Sequence, residues 1–446
     1  MTSSLRRSMG LSHATAMVVG IILGASIFVQ PSEMTRLVPS LRGLLIVWLG
    51  AGALTVSGAL VCAELAAIYP ETGGVYIFLK RIFSPAFGFL WGWAMFWSIH
   101  SGIIAAIAVI LARYAGYFAP LDETGIRALA MAVILVLSAI NYLGVRPGSV
   151  VQLALTAAKV GAIVLMALFF FSLGAPAHKT VPAPTAEGSI SLGSYGLAIA
   201  AGLFAFGGWH MVTYAAGETR DAARTIPRAL LWGTLIVTAC YVMLNAGYLY
   251  VLPLGEVAHS TRVAAAATER VLGTKAGSMI AVLVILSALG ALNGIILAGP
   301  RVYYAMAQDG LAFQWMGAVQ PRRQTPYLAI AAQAVCSCVL VATNSYRELF
   351  SRVVYTEWLF FALLAVGLFV LHRRGEYHSA FLRRGYPVIP ALFIAAALAI
   401  ASVQAAANPR GSALGLGLLL LGLPVYFLWS RHTTTEPREA ASDAGD

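Results

Sequence analysis

What this chain has least of is charge. Only 11% of its 446 residues are Asp, Glu, Lys or Arg, against roughly a quarter in an average soluble domain. A globule of this length cannot be wetted with so few solvating side chains. Cysteine is scarce as well. Cys62, Cys240, Cys336 and Cys338 all fall inside or at the edge of apolar stretches, so neither a disulfide framework nor a zinc site is indicated. Clusters of acid–base side chains are missing too: Glu64, His100, Lys159, His210 and Glu357 stand singly, with no His-Glu-x-x-His and no nucleophile–base spacing. That argues against a membrane-embedded enzyme, and no metal or cofactor is implied. A channel would need a ring of pore charges or a repeated filter loop, and neither is present in the sequence.

What is present is apolar and comes in blocks. Hydrophobic residues make up 59% of the chain and mean hydropathy is +0.81. A span needs about 20 apolar residues, and the sequence predicts twelve: 12–38, 43–68, 85–113, 127–145, 149–174, 193–217, 228–252, 277–306, 326–344, 350–372, 387–407 and 412–430. The fold class is an all-α membrane protein. The opening MTSSLRRSMGLSH is like the charged start of a signal peptide but leads into the first predicted span, so it is read as a cytoplasmic segment, 1–11.

Charge placement sets the orientation. With the N-terminus inside, inner loops carry 17 of the 29 Lys and Arg residues and outer loops 11, leaving Lys159 within a span. The pairs Arg6-Arg7, Lys80-Arg81, Arg322-Arg323, Arg373-Arg374 and Arg383-Arg384 all fall inside, as positive charge does beside membrane helices. Both termini are then cytoplasmic, and the net charge of +11 is not a nucleic-acid signal. The tail 431–446 is small and polar and reads as disordered. Of the longer outer loops, 175–192 and 253–275, the second has room for a short surface helix around ATERVLG.

Two spans carry helix-weakening residues where lipid should enforce a helix. GIILGASIFVQPSEM (20–34) places Gly20, Gly24, Ala25, Ser26 and Pro31 in the first, and GLFAFGGWHMVTYAAGE (202–218) places Gly207-Gly208 in the sixth. In either span alone, glycine is equally suited to close helix packing. Interruptions at matching places in two halves point instead to inverted repeats with a binding site at the breaks. The halves are 12–174 and 193–372, each of five helices, with helices eleven and twelve in 387–430. Freed N–H groups suit a carboxylate, and freed carbonyls suit an ammonium.

These stretches, with CAELAAIYPETGGVYIFLKRIFSPAFGFLWGW (62–93), FAFGGWHMVTYAAGETRDAARTIPRAL (204–230), ALNGIILAGPRVYYAMAQDG (291–310) and EWLFFALLAVGLFVL (357–371), resemble in order the motifs of the amino acid–polyamine–organocation superfamily of permeases. The likeness is strongest to its L-type amino acid transporter branch. It implies a sodium-independent secondary transporter of L-amino acids, neutral ones favoured, working in the cytoplasmic membrane by alternating access as an exchanger or a proton symporter. A cationic amino acid or polyamine permease is the alternative within the same fold. By the resemblance, the amides of Ala25, Ser26 and Ile27, beside Gly24, bind the carboxylate, and the carbonyls of Ile22, Phe204, Ala205 and Gly207, beside Phe206, bind the amino group. Ser26 stands where the family has Gly, which adds a hydroxyl or shrinks the pocket.

Phe204 matches the aromatic that closes over substrate, and Trp209 and Trp358 are candidates for the pocket wall or outer gate. His210 replaces a family Asn; it contacts substrate, senses pH, or sits neutral with one partner. Lys159 in QLALTAAKVGAIVLMALFFF costs at least ~2.5 kcal/mol to insert and lies too deep to snorkel easily. In sodium-independent relatives a Lys there puts its ammonium where others bind sodium; here it would bridge the Gly20 carbonyl to Ser287. Asn293 matches a family Asn that helps order the site. Glu357 pairs structurally, lines the vestibule or carries protons, while Glu64 anchors the ETGG loop. The loop APLDETG (119–125) lacks the cysteine through which animal relatives join a glycoprotein, so no disulfide-linked subunit is expected. The partners are the substrate and the bilayer.

Overall fold

Backbone groups cannot face lipid unpaired, which leaves helices as the solution for a chain of this composition. The computed structural model describes residues 9–71, 73–142, 149–177, 190–320, 325–377 and 381–433. Arg6-Arg7, Arg322-Arg323, most of the 175–192 loop and the tail beyond 433 lie outside them. Apart from one bridge between Met9 and Thr219, the regular structure of the described residues is helical.

The first half contains α1 (Leu11–Ile22), α2 (Gln30–Leu37), α3 (Leu41–Ile68), α4 (Val75–Ile82), α5 (Pro85–Ala94), α6 (His100–Ala115), α7 (Glu123–Tyr142) and α8 (Ser149–Leu173). A π-helical stretch, Met95–Ile99, joins α5 to α6 in one rod. The second half contains α9 (Leu192–Ala205), α10 (Ala222–Val251), α11 (Leu254–His259), α12 (Val263–Leu272), α13 (Thr274–Gln308), α14 (Tyr327–Thr343) and α15 (Tyr346–Arg373). It is followed by α16 (Val388–Ala407), α17 (Pro409–Leu420) and α18 (Gly422–Thr433). Ten helical rods among the described residues are long and apolar enough to cross a membrane, and Leu11–Ile22 and Tyr327–Thr343 are shorter apolar helices. The surface helix expected around ATERVLG is α12. The last predicted span, 412–430, divides at Leu421 into α17 and α18.

Local chemistry sets the helix ends. Ser345 accepts the N–H of Glu348 while the Glu348 carboxylate accepts that of Ser345, a reciprocal cap that starts α15. Pro85 opens α5 with the N–H it lacks. In the ETGG turn Gly74 has φ 52°, and a Cβ there would collide with Thr213 Oγ1. The turn can therefore lie against the segment that follows α9 only if this residue is glycine.

The interior is aromatic and aliphatic, with Trp48, Trp91, Tyr241 and Trp358 fully enclosed, while Leu192, Met279, Leu392 and Leu414 are turned outward. Outward leucine and methionine suit a hydrocarbon solvent and would be a liability in water. α10 packs along α3, α1 and α8, and α15 packs along α16, α6 and α9. Between them they bring the two interrupted spans together.

Glu64 is buried near the end of α3, and its Oε1 accepts the N–H of Phe381 at 2.7 Å and that of Leu382. It fastens the turn leading to α16. Leaving those donors unpaired costs ~1–3 kcal/mol. Glu64→Ala is therefore expected to lower the apparent melting temperature of the purified protein by about 1–3 °C. Glu64→Gln, which keeps an acceptor, should lower it less; differential scanning fluorimetry reads both.

Candidate functional site

α1 ends at Ile22. Leu23 leaves the helix at ψ 57°, its N–H still donating to Val19 O at 2.8 Å, and the Gly24 N–H turns back to Ile22 O at 2.6 Å. The next three N–H groups, those of Ala25, Ser26 and Ile27, donate to nothing among the described residues. Pairing resumes with Phe28 N to Ala25 O and Val29 N to Ser26 O, both 3.1 Å. The carbonyls of Gly20 and Ile21 lose their helical donors because Gly24 and Ala25 no longer reach them. One break thus exposes three donors and, a turn away, two acceptors.

The second break mirrors the first. α9 stops at Ala205, Gly207 N donates to Phe204 O at 3.0 Å, and Gly208 adopts φ 92° before a tight 3-10 stretch, Trp209–Glu218. A Cβ on Gly208 would lie 2.6 Å from Ile21 Cγ2, so glycine serves both the left-handed backbone and the approach of the two breaks. The carbonyls of Phe206 and Gly207 accept nothing among the described residues.

Tyr241 of α10 stands between them. Its hydroxyl is 2.8 Å from Ile22 O and 2.9 Å from Ala205 O, and its ring is held by Phe206 at 4.9 Å and by the edge of Trp48 at 5.5 Å. Sequence reasoning missed this residue. The available signal was a phenol in the middle of an apolar span, where its O–H needs a partner. It also brings a correction: of the four carbonyls expected to face an ammonium, those of Ile22, Phe204 and Ala205 already accept protein donors. Gly207 keeps its carbonyl free, and Gly20 and Ile21 supply two more.

Between the breaks lies a cavity of about 20 Å³, room for about one water. Ile22, Gly24, Ser26, Phe204, Ala205 and Gly207 line it, facing an aliphatic wall of Ile103, Ile107, Ile295 and Val353. Ala25, Ile27, Phe206, Trp209 and His210 flank the cavity without lining it. Trp209 packs tilted against Phe361 at 4.8 Å and Trp358 against Phe393 at 5.4 Å. A larger cavity, about 290 Å³ among Trp93, Phe313, Trp315 and Trp429, is lined by apolar side chains and lies away from both breaks.

Toward α2, Phe204 packs against Phe350 at 5.7 Å and Tyr346 at 6.5 Å. Beyond them Glu33, 5% exposed, accepts Arg347 Nε at 2.9 Å and Arg36 Nη1 at 3.1 Å. Toward the start of α1, Arg220 N donates to Met9 O at 2.9 Å, and Asp309 accepts Lys80 Nζ at 2.7 Å and the Tyr76 hydroxyl.

The remaining expected residues are placed as follows. Thr156 Oγ1 donates to Ala16 O at 3.2 Å and so ties α8 to α1 about one turn short of Lys159 on the one helix and of Gly20 on the other. The expected bridge is not formed, since Lys159 has no hydrogen bond or ion pair among the described residues. Ser287 instead reaches the first break directly, donating to Leu23 O at 3.5 Å. Asn293 accepts from Asn141 Nδ2 at 2.7 Å. Glu357 pairs with no Arg among the described residues; its carboxyl lies 3.6 Å from His210 Nδ1.

The chain matches the family model described as amino acid permease over residues 9–428. It is similar to the serine/threonine exchanger SteT of Bacillus subtilis, 30% identical over 95% of this chain and 97% of that protein. It is likewise similar to the b(0,+)-type amino acid transporter 1 of Homo sapiens, 30% identical over 96% of this chain and 89% of that protein. To the large neutral amino acids transporter small subunit 2 of Homo sapiens it is 30% identical over 95% of this chain and 81% of that protein. Two helices opened face to face around a shared cavity, in a multi-pass helical membrane protein with these likenesses, make this chain a member of the amino acid permease family.

Proposed function

We propose that the protein carries neutral L-amino acids across the cytoplasmic membrane by alternating access, without sodium. In this reading twelve helices cross the bilayer, 12–174 and 193–372 are inverted five-helix repeats, and both termini are cytoplasmic. The observation that carries it is the set of unpaired peptide groups at one cavity. The N–H groups of Ala25, Ser26 and Ile27 take the carboxylate, while the carbonyls of Gly20, Ile21 and Gly207 take the ammonium. Such an arrangement recognises what all amino acids share.

The side chain then meets Ile103, Ile107, Ile295 and Val353. No carboxylate lines this wall, which favours neutral substrates over cationic amino acids or polyamines. The Ser26 hydroxyl narrows the site toward smaller side chains. Similarity to a protein named a serine/threonine exchanger supports exchange as the basic mode. Lys159 supplies the cation that sodium would otherwise provide. The loop APLDETG (119–125) has no cysteine, in keeping with a transporter that works without a disulfide-linked subunit. Phe204 with Phe350, backed by Glu33–Arg347, forms the outer gate.

Purified protein in liposomes loaded with unlabelled amino acid should take up labelled L-alanine, L-serine, L-threonine or L-leucine. Uptake of none of these above protein-free vesicles overturns the reading. Replacing sodium by choline should leave the rate unchanged, and Lys159→Ala should depress uptake in a protein that still elutes as a single species. Tyr241→Phe removes one hydroxyl worth ~0.5–1.5 kcal/mol, so the exchange rate should fall about twofold to tenfold.

A further inference from the structure

One helical turn along α15 from the cavity residue Val353 lies a polar group that the binding scheme leaves unused. Glu357 is 3% exposed and His210 fully buried, with Nδ1 to Oε1 3.6 Å, just outside hydrogen-bond reach. Neither ring nitrogen of His210 has a hydrogen-bond partner, and neither does Oε1 of Glu357. Trp91 of α5, Trp209, Tyr214 and Phe361 enclose the imidazole at 5.2–5.7 Å. His100 of α6 faces His210, Tyr214 of the same segment as His210 faces both members, and Cys62 of α3 and Tyr303 of α13 face Tyr214 in turn. None of them is a Lys, an Arg or a second carboxyl. His100 also has both ring nitrogens unpartnered, as do the hydroxyls of Tyr214 and Tyr303.

A lone carboxylate in such surroundings is prohibitively costly. The pair therefore keeps one proton, either as acid and neutral imidazole or as carboxylate and imidazolium, and both forms have zero net charge. Its two members belong to different elements. His210 follows the left-handed Gly208 by two residues, whereas Glu357 is fixed on an unbroken helix.

Resting on the transporter reading above, we propose that Glu357 and His210 form a proton-binding site, and that one proton crosses with each amino acid. When one side opens, the Glu357 O–H gives its proton to His210 Nδ1, leaving carboxylate and imidazolium. The imidazolium then gives that proton to entering water, leaving carboxylate, neutral imidazole and hydronium. The emptied protein recloses with the carboxylate still hydrated, and the pair takes its next proton, with the next amino acid, once the opposite side has opened.

The test uses the full chain in liposomes containing a pH-sensitive dye, with labelled L-alanine, L-serine, L-threonine and L-leucine as probes. In vesicles free of amino acid, an acid-outside gradient of one pH unit should drive accumulation toward about tenfold, with acidification of the lumen. The decisive number is the ratio of gradient-driven uptake to exchange at equal pH, so a general loss of rate cancels. Glu357→Gln should bring that ratio close to the value without a gradient. Where the glutamine variant fails to fold, Glu357→Asp, which retracts the acid from His210, should lower the ratio partway. Exchange that proceeds in the wild type with no response to the gradient and no lumen acidification overturns the proton site and leaves the transporter reading standing. A glutamine variant with the wild-type ratio overturns it as well. Exchange of none of the probes removes the transporter reading, and the site with it.

Discussion

Peptide groups inside a bilayer must find partners, and at two places this chain withdraws them from its own helices. The hydroxyl of Tyr241 answers most directly, held between Ile22 O and Ala205 O. One hydroxyl has one proton, so it binds the two helix ends as a shared donor, never saturating both. Ser287 on Leu23 O and Tyr114 on Phe28 O complete the repair around the first break. α10, α13 and α6 are thus bound to the breaks by side chains that would otherwise have no partner. Of the residues left with unpaired peptide groups, Ile21, Ser26 and Gly207 line the cavity itself.

Recognition by backbone also explains the plain chemistry of the cavity wall. With the charged ends of an amino acid held by dipoles, ionic side chains in the wall would add desolvation cost and restrict the range of substrates. Aliphatic residues from α6, α13 and α15 supply the wall instead. Charge is placed at the margins, in Glu33 with Arg347 and Arg36 on one side and Asp309 with Lys80 on the other. The Lys80–Asp309 pair is half-exposed on both members and worth little, so it can part and re-form during a cycle without trapping the protein in one state.

The helices were legible because lipid leaves so few choices: blocks of apolar residues located their spans within a few positions. The breaks were legible because glycine is conspicuous in that setting, as at Gly24 and Gly207-Gly208. Partnerships were not. Tyr241 lies 36 residues from Ala205, and Arg347 lies 314 from Glu33. Hydrophobic periodicity tells which face of a helix is buried but not what it meets there. Glu357 was open to an Arg partner, a vestibule role or the carrying of protons for the same reason, and only packing set it beside His210. Lys159 shows the limit from the other side: its depth was plain from sequence, but the Ser287 hydroxyl goes to Leu23 O, which spacing along α13 does not foretell.

Gly208 is where the proposed substrate and proton sites meet. On one side its missing Cβ admits Ile21 of the first break, and two residues later the chain carries His210 toward Glu357. Any rotation that parts Gly208 from Ile21 changes which peptide groups face the cavity, and it shifts the imidazole against a carboxyl that α15 holds still. A ligand shifts such an equilibrium only by its difference in affinity between the two states, and the coupling acts equally in both directions. Substrate that favours the closed arrangement must then raise the proton affinity of the pair, and a proton on the pair must raise the affinity for substrate by the same factor. The hinge can enforce this with one glycine because both sites are read out by the same few degrees of backbone.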